Sequence, residues 1–138
     1  MRVIGLDLGT KTLGIASSDL SQTIASAYKT INFRNDNYDY AIKELKLVVE
    51  ELNPEKIILG LPKNMDGSIG FQAQKTLEFK ELLEKEINLE VIMIDERLTS
   101  KMAENIMIKA DLSRKKRKTK VDKLAATLIL QSYLDSRK

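Results

Sequence analysis

Residues 2–16 read Arg2-Val3-Ile4-Gly5-Leu6-Asp7-Leu8-Gly9-Thr10-Lys11-Thr12-Leu13-Gly14-Ile15-Ala16. Val3, Ile4 and Leu6 are strand formers, and the run is apolar on both faces, the pattern of a strand buried inside a sheet. One carboxylate, Asp7, interrupts it. A lone buried charge is costly unless it is paired or holds a cation. Gly9-Thr10-Lys11 supplies turn chemistry, and Leu13, Ile15 and Ala16 resume an alternating run. The stretch therefore reads as a β-hairpin with Asp7 near the end of its first strand. Two readings of Asp7 stay open at this point: a functional carboxylate, or a turn-flanking residue that caps backbone amides.

Downstream, Ser17–Asp19 and Ser21–Thr23 form a polar break, and Ile24–Phe33 alternates as a third antiparallel strand. Arg34–Asp39 is a polar loop. Ala41, Leu45, Val48, Val49 and Leu52 recur at helical spacing, predicting a helix from about Tyr38 to Leu52 that Asn53-Pro54 ends. Lys56–Leu61 is a short apolar run suited to a buried parallel strand, stopped by Pro62. The loop Pro62–Gly70 follows the carboxyl end of that strand, where ligand loops of α/β sheets gather. On its own it reads equally well as a plain connection with Asp66-Gly67 as its turn. Phe71–Ile87 carries Ala73, Thr76, Phe79, Leu83 and Ile87 on one helical stripe, and Leu89–Ile94 is another strand. Thr99 or Ser100 can cap a helix bearing Met102, Ala103, Ile106, Met107 and Ala110. Asp111–Lys120 breaks the periodicity and is strongly basic. Val121–Leu134 is the last helix, with Val121, Leu124, Ala125, Leu128 and Ile129 facing inward.

Three meander strands followed by alternating helices and strands imply right-handed parallel crossovers. The expected fold is α/β: a mixed five-stranded sheet, its first strand central, with a three-strand antiparallel meander, two parallel strands and flanking helices. At 138 residues, 43% hydrophobic and 31% charged, the chain suits one domain with a substantial core. The net charge of +3 leaves an anionic partner open without demanding one. There is no cysteine and no histidine. Disulfides, thiolate metal sites, cysteine nucleophiles, Ser-His-Asp triads and histidine-ligated metals are thereby excluded. Catalysis would fall to carboxylates, lysine, tyrosine, hydroxyls or a hard metal. Met1–Ala16 lacks the apolar core of a signal peptide, and no run approaches ~18 apolar residues. A soluble, cytoplasmic protein away from membranes is expected.

Acidic residues fall at comparable structural points: Asp7 on the first strand, Asp95 and Glu96 at the end of the last strand, and Asp122 in the first turn of the final helix. On that helix Asp122 shares a face with Ala125, Ala126 and Ile129, small enough in part to let the helix approach the sheet. Thr119-Lys120-Val121-Asp122 also fits a capping box, Asp95 could cap the helix after it, and Arg97 could neutralise either neighbour. Gathered carboxylates repel unless their pKa values rise or a cation bridges them. An oxygen-only site selects Mg²⁺ or Mn²⁺. Two such ions about 3.5–4 Å apart hydrolyse phosphodiesters without a histidine. The run Arg114-Lys115-Lys116-Arg117-Lys118, ordinarily a solvated mobile loop, would place positive charge beside that site, where a phosphate backbone could run. No aromatic residue is interleaved in it.

Together these motifs identify a resemblance. VIGLDLGTKTLGIASSD (3–19), ILGLPKNMDGSIGFQA (58–73), IDERLTSKMAE (94–104) and VDKLAATLILQSYL (121–134) resemble, in order and spacing, the YqgF/RuvX family of Holliday-junction-resolvase-like pre-16S rRNA nucleases. The resemblance covers nearly the whole chain. It implies a single RNase H-like nuclease domain over residues 1–138, maturation of the 5′ end of 16S rRNA, and an acidic, metal-holding triad of Asp7, Glu96 and Asp122. Asp95 competes for the middle place. It also turns the loop Gly60–Gly70 into a substrate-side loop. Lys11, Lys63, Asn64 and Arg97, together with Arg114, Lys115, Lys116, Arg117 and Lys118, become the residues expected to face nucleic acid. Ser100 stands where the family often has a second threonine, and the hydroxyl is retained. The expected partner is pre-16S rRNA within the ribosomal precursor, with branched DNA as the alternative. The oligomeric state stays open between monomer and homodimer. A non-catalytic RNA-binding or transcription-associated module is also compatible. Asp7-Leu8-Gly9-Thr10 resembles the phosphate loop of actin- and hexokinase-like proteins too, but those need two such domains around a nucleotide.

Overall fold

The computed structural model describes residues 1–34, 37–64, 66–95 and 114–137, with the backbone alone for 114–124. Its elements are β1 (Val3–Leu8), β2 (Thr12–Ser18), β3 (Ala25–Asn32), α1 (Tyr38–Leu52), β4 (Lys56–Leu61), α2 (Phe71–Glu86), β5 (Glu90–Asp95) and α3 (Arg114–Ser136). The five strands form one sheet in the order β3-β2-β1-β4-β5. β1–β2 and β2–β3 pair antiparallel, while β1–β4 and β4–β5 pair parallel. β1 is central, as the apolar run around Asp7 predicts. No helix among the described residues is long and apolar enough to cross a membrane.

Alternation along β1 sends its side chains into two separate cores. Ile4, Leu6 and Leu8 join Leu13, Ile15, Ile57, Leu59 and the buried faces of α1 and α2. Phe79 of α2 anchors that side, meeting the Tyr38 ring edge-on at 5.4 Å. α1 starts at Asn37, whose side chain accepts from the Tyr40 amide, and stops where Asn53 turns left-handed at φ 49°. There the Asn53 amide closes on the Val49 carbonyl at 2.8 Å. The α2 stripe is buried as its spacing predicts: Ala73, Thr76, Phe79 and Leu83, with Ile87 just beyond the helix.

The opposite face carries Val3, Ala16 and Ile58 beneath Ala126, Ile129, Leu130, Tyr133 and Leu134 of α3. Gly5 decides how closely that helix lies. A Cβ at Gly5 would stand 2.7 Å from the Leu130 Cβ and 3.1 Å from the Ala126 carbonyl oxygen, so only hydrogen fits. α3 runs antiparallel to β1. Tyr133 receives a hydrogen bond from Lys56, the β4 partner of Val3, while Ala126 and Leu130 cover Gly5.

α3 corrects three expectations. The helix begins at Arg114, so the basic run belongs to it rather than to a loop. Lysine and arginine are good helix formers, and no glycine or proline occurs from 114 to the end of the chain. Asp122 therefore lies inside α3, not in its first turn, and Thr119 does not stand at a helix start, so the capping box is not formed. The inward face also differs: Ala125, Ala126, Ile129, Leu130, Tyr133 and Leu134 are buried, while Leu128 is half-buried. The side chains of Val121 and Leu124, and the helix expected after Thr99, lie outside the described residues.

Candidate nuclease site

Asp7 sits next to last on β1, half-buried, with the parity of Val3 and Gly5, which puts it on the α3 face. Its partner on β2 is Gly14. On the other side, the β1–β4 register pairs Leu6 with Leu59, and one residue further it sets Asp7 level with Gly60. Gly60 in turn pairs with Ile94, and Gly14 with Thr30. The row across the sheet is thus Thr30, Gly14, Asp7, Gly60, Ile94. Both lateral neighbours of the carboxylate lack a side chain, and both glycines are themselves buried. This flanking cannot be read from the sequence, because it depends on register. An oxygen donor such as this carboxylate suits a hard cation.

Two loops converge at the same end of the sheet. In the β1–β2 turn the Gly9 amide donates to the Thr12 carbonyl at 2.7 Å, and exposed Lys11 accepts at its carbonyl from the Phe33 amide at 2.9 Å. The loop after β4 is built from its own polar groups. The Asn64 amide donates to the Ser68 carbonyl and the Gly67 amide to the Asn64 carbonyl, at 3.0 and 2.8 Å. Asp66 accepts from the Ser68 amide at 2.9 Å and from its hydroxyl at 2.6 Å. Gly67 has φ 90°, a left-handed conformation that glycine adopts without strain. The Asn64 side chain donates to the Ser68 hydroxyl at 3.0 Å and packs under Gly70, where a Cβ would come within 2.8 Å of it. Asn64 thus already braces the loop from within. Lys63 is half-buried beside Pro62. At the start of α2 the Gln72 side chain donates to the Leu8 carbonyl at 3.1 Å, fastening this loop to the strand that carries Asp7. Neither Gln72 nor the glycine row carries a signal in the sequence that would single it out.

Asp95 closes β5, is exposed and pairs with Leu61. Along β5, Ile92 and Ile94 pack on the α3 side while Val91 and Met93 pack on the other. Asp95 has the parity of Val91 and Met93, opposite to Asp7. Glu96 and Arg97 lie outside the described residues, as do the side chains of Asp122 and of Arg114, Lys115, Lys116, Arg117 and Lys118. Among the described residues no three acidic side chains are gathered as a metal site. Lys11, Lys63 and Asn64 are all brought to the Asp7 end of the sheet.

The far end of the sheet holds a different carboxylate. Asp19 accepts from the Thr23 amide at 2.7 Å, the Ser21 hydroxyl at 2.8 Å and the Ile24 amide at 3.1 Å. These bonds, the Thr23 amide foremost, lower its pKa to about 2.

The chain resembles known proteins in sequence and in fold. A family model described as RuvX, Holliday junction resolvase, matches residues 1–136. A Geobacillus sp. (strain WCH70) protein named "Putative pre-16S rRNA nuclease" is 49% identical over 99% of this chain and 99% of its own length. Among solved structures, Thermus thermophilus RuvC superposes with a TM-score of 0.60 at 14% identity, covering 99% of this chain and 96% of that one. Fowlpox virus resolvase, solved with substrate Holliday junction DNA, gives a TM-score of 0.60 at 17% identity over 99% of both chains. These two likenesses establish the RNase H-like fold of the resolvases.

Proposed function

The chain belongs to the RuvX family, and on that premise we propose that it is a metal-dependent endonuclease that hydrolyses phosphodiester bonds of pre-16S rRNA in the cytoplasm, maturing the 5′ end. The observation that carries this reading is Asp7: a carboxylate on the central strand, with glycine on either side, at the end of the sheet where two loops meet.

Asp7, Glu96 and Asp122 are the proposed metal ligands. Helix geometry supports Asp122. Ala126 covers Gly5. From there two strand residues to Asp7 advance about 6.7 Å. Four helix residues back to position 122 advance about 6 Å, in the same direction because α3 is antiparallel to β1. The backbone of residue 122 thus comes level with Asp7. Strand parity counts against Asp95, which has the parity opposite to Asp7, and Glu96 is therefore the proposed middle ligand. Oxygen ligands without histidine or cysteine fit Mg²⁺ or Mn²⁺, and a pair of such ions would supply the water nucleophile and neutralise the leaving oxygen. The protein's own part is to hold the three carboxylates and to present Lys11, Lys63 and the basic start of α3 to the backbone. Arg97 and Asn64 complete the proposed substrate side, Asn64 by holding the loop's shape.

The test is to incubate the purified protein with 16S precursor RNA, with and without Mg²⁺ or Mn²⁺, and to map the ends. Cleavage confined to the metal-containing samples, at the mature 5′ end, is expected. Uncut RNA throughout would refute the reading. Branched DNA is the second candidate substrate, favoured by the family description and by the resolvase fold. A resolvase makes paired cuts on a two-fold-symmetric junction and so favours a homodimer, whereas RNA processing needs only a monomer. Paired nicking of four-way junctions by a stable dimer would select it.

A further inference from the structure

We propose that Phe71 is a stacking platform for an unpaired base beside the scissile phosphate, so that this site takes its nucleic-acid strand single-stranded at the cut. The proposal rests on the nuclease reading and adds to it the form of the substrate.

Phe71 is 75% exposed, more than any other large hydrophobic side chain among the described residues, and Ile69, two residues before it, is 47% exposed. A scattered apolar side chain on a protein surface is ordinary. The placement of this one is not. Phe71 is the first residue of α2, so its backbone is fixed by the helix. The preceding residue, Gly70, is seated on the Asn64 side chain within the self-bonded loop. The following residue, Gln72, is hydrogen-bonded to the carbonyl of Leu8, which adjoins Asp7. The ring is therefore held on a built support, tied directly to the strand that carries the proposed metal ligand.

Lys75, one turn along α2, sets its Nζ 5.3 Å from the ring centroid. A cation on one side of an exposed aromatic ring makes a composite surface. The ring offers a π-face to a base, and the ammonium attracts the adjoining phosphate. A protein-docking site would gain less from a lysine at its centre, since protein interfaces are depleted in lysine. A base within a duplex has both faces covered by its neighbours, so a ring can stack only on a base that is unpaired or splayed out.

The chain contains no tryptophan, so Phe71→Trp introduces a single tryptophan, excited apart from the tyrosines, at the platform. This variant is titrated, in metal-free buffer, with an unstructured single-stranded RNA oligonucleotide and with a fully paired RNA duplex. The single strand should quench the fluorescence saturably, at about tenfold lower concentration than the duplex. Phe71→Ala should weaken single-strand binding and raise KM for cleavage about tenfold, with kcat and thermal midpoint close to wild type, while Phe71→Tyr retains both binding and KM. Absence of quenching, equal quenching by duplex, or wild-type RNA affinity in Phe71→Ala would overturn the proposal. So would loss of binding to a ribosomal protein with RNA affinity intact, which would make Phe71 a protein contact. The titration needs no metal and no cleavage. Quenching without cleavage would count against the nuclease reading alone, and cleavage without quenching against the platform alone.

Discussion

Asp7 and Asp19 lie at opposite ends of the same sheet, and their surroundings differ in kind. Asp19 is spent on its own loop: two backbone amides and a hydroxyl converge on it and stabilise its charge. It fixes the link from β2 to β3, which the Gln131 side chain also secures by accepting from the Ala25 amide and donating to the Thr23 carbonyl. Asp7 occupies a strand between two glycines, with small turns and a braced loop around it. The lesson is that an acidic residue next to turn chemistry is ambiguous in sequence. The two residues differ in what register and hydrogen bonding set beside them: glycine backbone at Asp7, and the donors of its own loop at Asp19.

The sharpest way to break this comparison is to neutralise both residues. Asp7→Asn should reduce metal-dependent RNA cleavage by roughly three orders of magnitude, since metal charge stabilisation is worth several kcal/mol. Asp19→Asn should cleave at the wild-type rate. Comparable cleavage by the two variants would end the distinction. Asp122→Asn belongs with Asp7: residue 122 is interior to α3, so no helix cap is lost, and lost cleavage should come with an unchanged thermal midpoint.

The next effect in size is on packing. Gly5→Val would drive a side chain into Leu130 and the Ala126 carbonyl, at a cost of about 1–3 kcal/mol. Denaturant unfolding should show that loss. If α3 also sets the position of residue 122, cleavage should fall while the fold persists in the absence of denaturant. A variant as stable as wild type would mean that α3 does not rest on Gly5.

The smallest effect is acid sensitivity at Asp19. Its folded pKa of about 2 lies below the ordinary 3.8. The stability it contributes is therefore present above about 3.8 and lost as pH falls through about 2. Between those limits the wild type should lose slightly more thermal stability than Asp19→Asn. Parallel curves would show that the loop does not depend on the charge.

Much of the fold is legible in the amino-acid sequence. The strands around Asp7 and at Lys56–Leu61, and the stripes of α1 and α2, are written in local periodicity with glycine, asparagine and proline as punctuation. The start of α3 is not, because Arg114–Lys118 has the composition of a solvated loop although each residue favours helix. Adjacency alone cannot separate Asp95 from Glu96, whereas the parity of β5 sets Asp95 opposite to Asp7. Gly14 and Gly60 read as ordinary strand glycines until pairing sets them on either side of Asp7.

The contact of Gly5 with Ala126 and Leu130 joins residues more than a hundred positions apart. During synthesis, β1 leaves the ribosome long before the segment that covers it exists. The hairpin can form early from local pairing, but the α3 face of β1 stays bare until residues 125–134 have been made. A nuclease built this way would be inert as a nascent chain. On the proposed ligand set its cutting centre would be completed only once residue 122 had been made, more than a hundred residues after Asp7, so RNA close to the translating ribosome would not meet a half-made active enzyme.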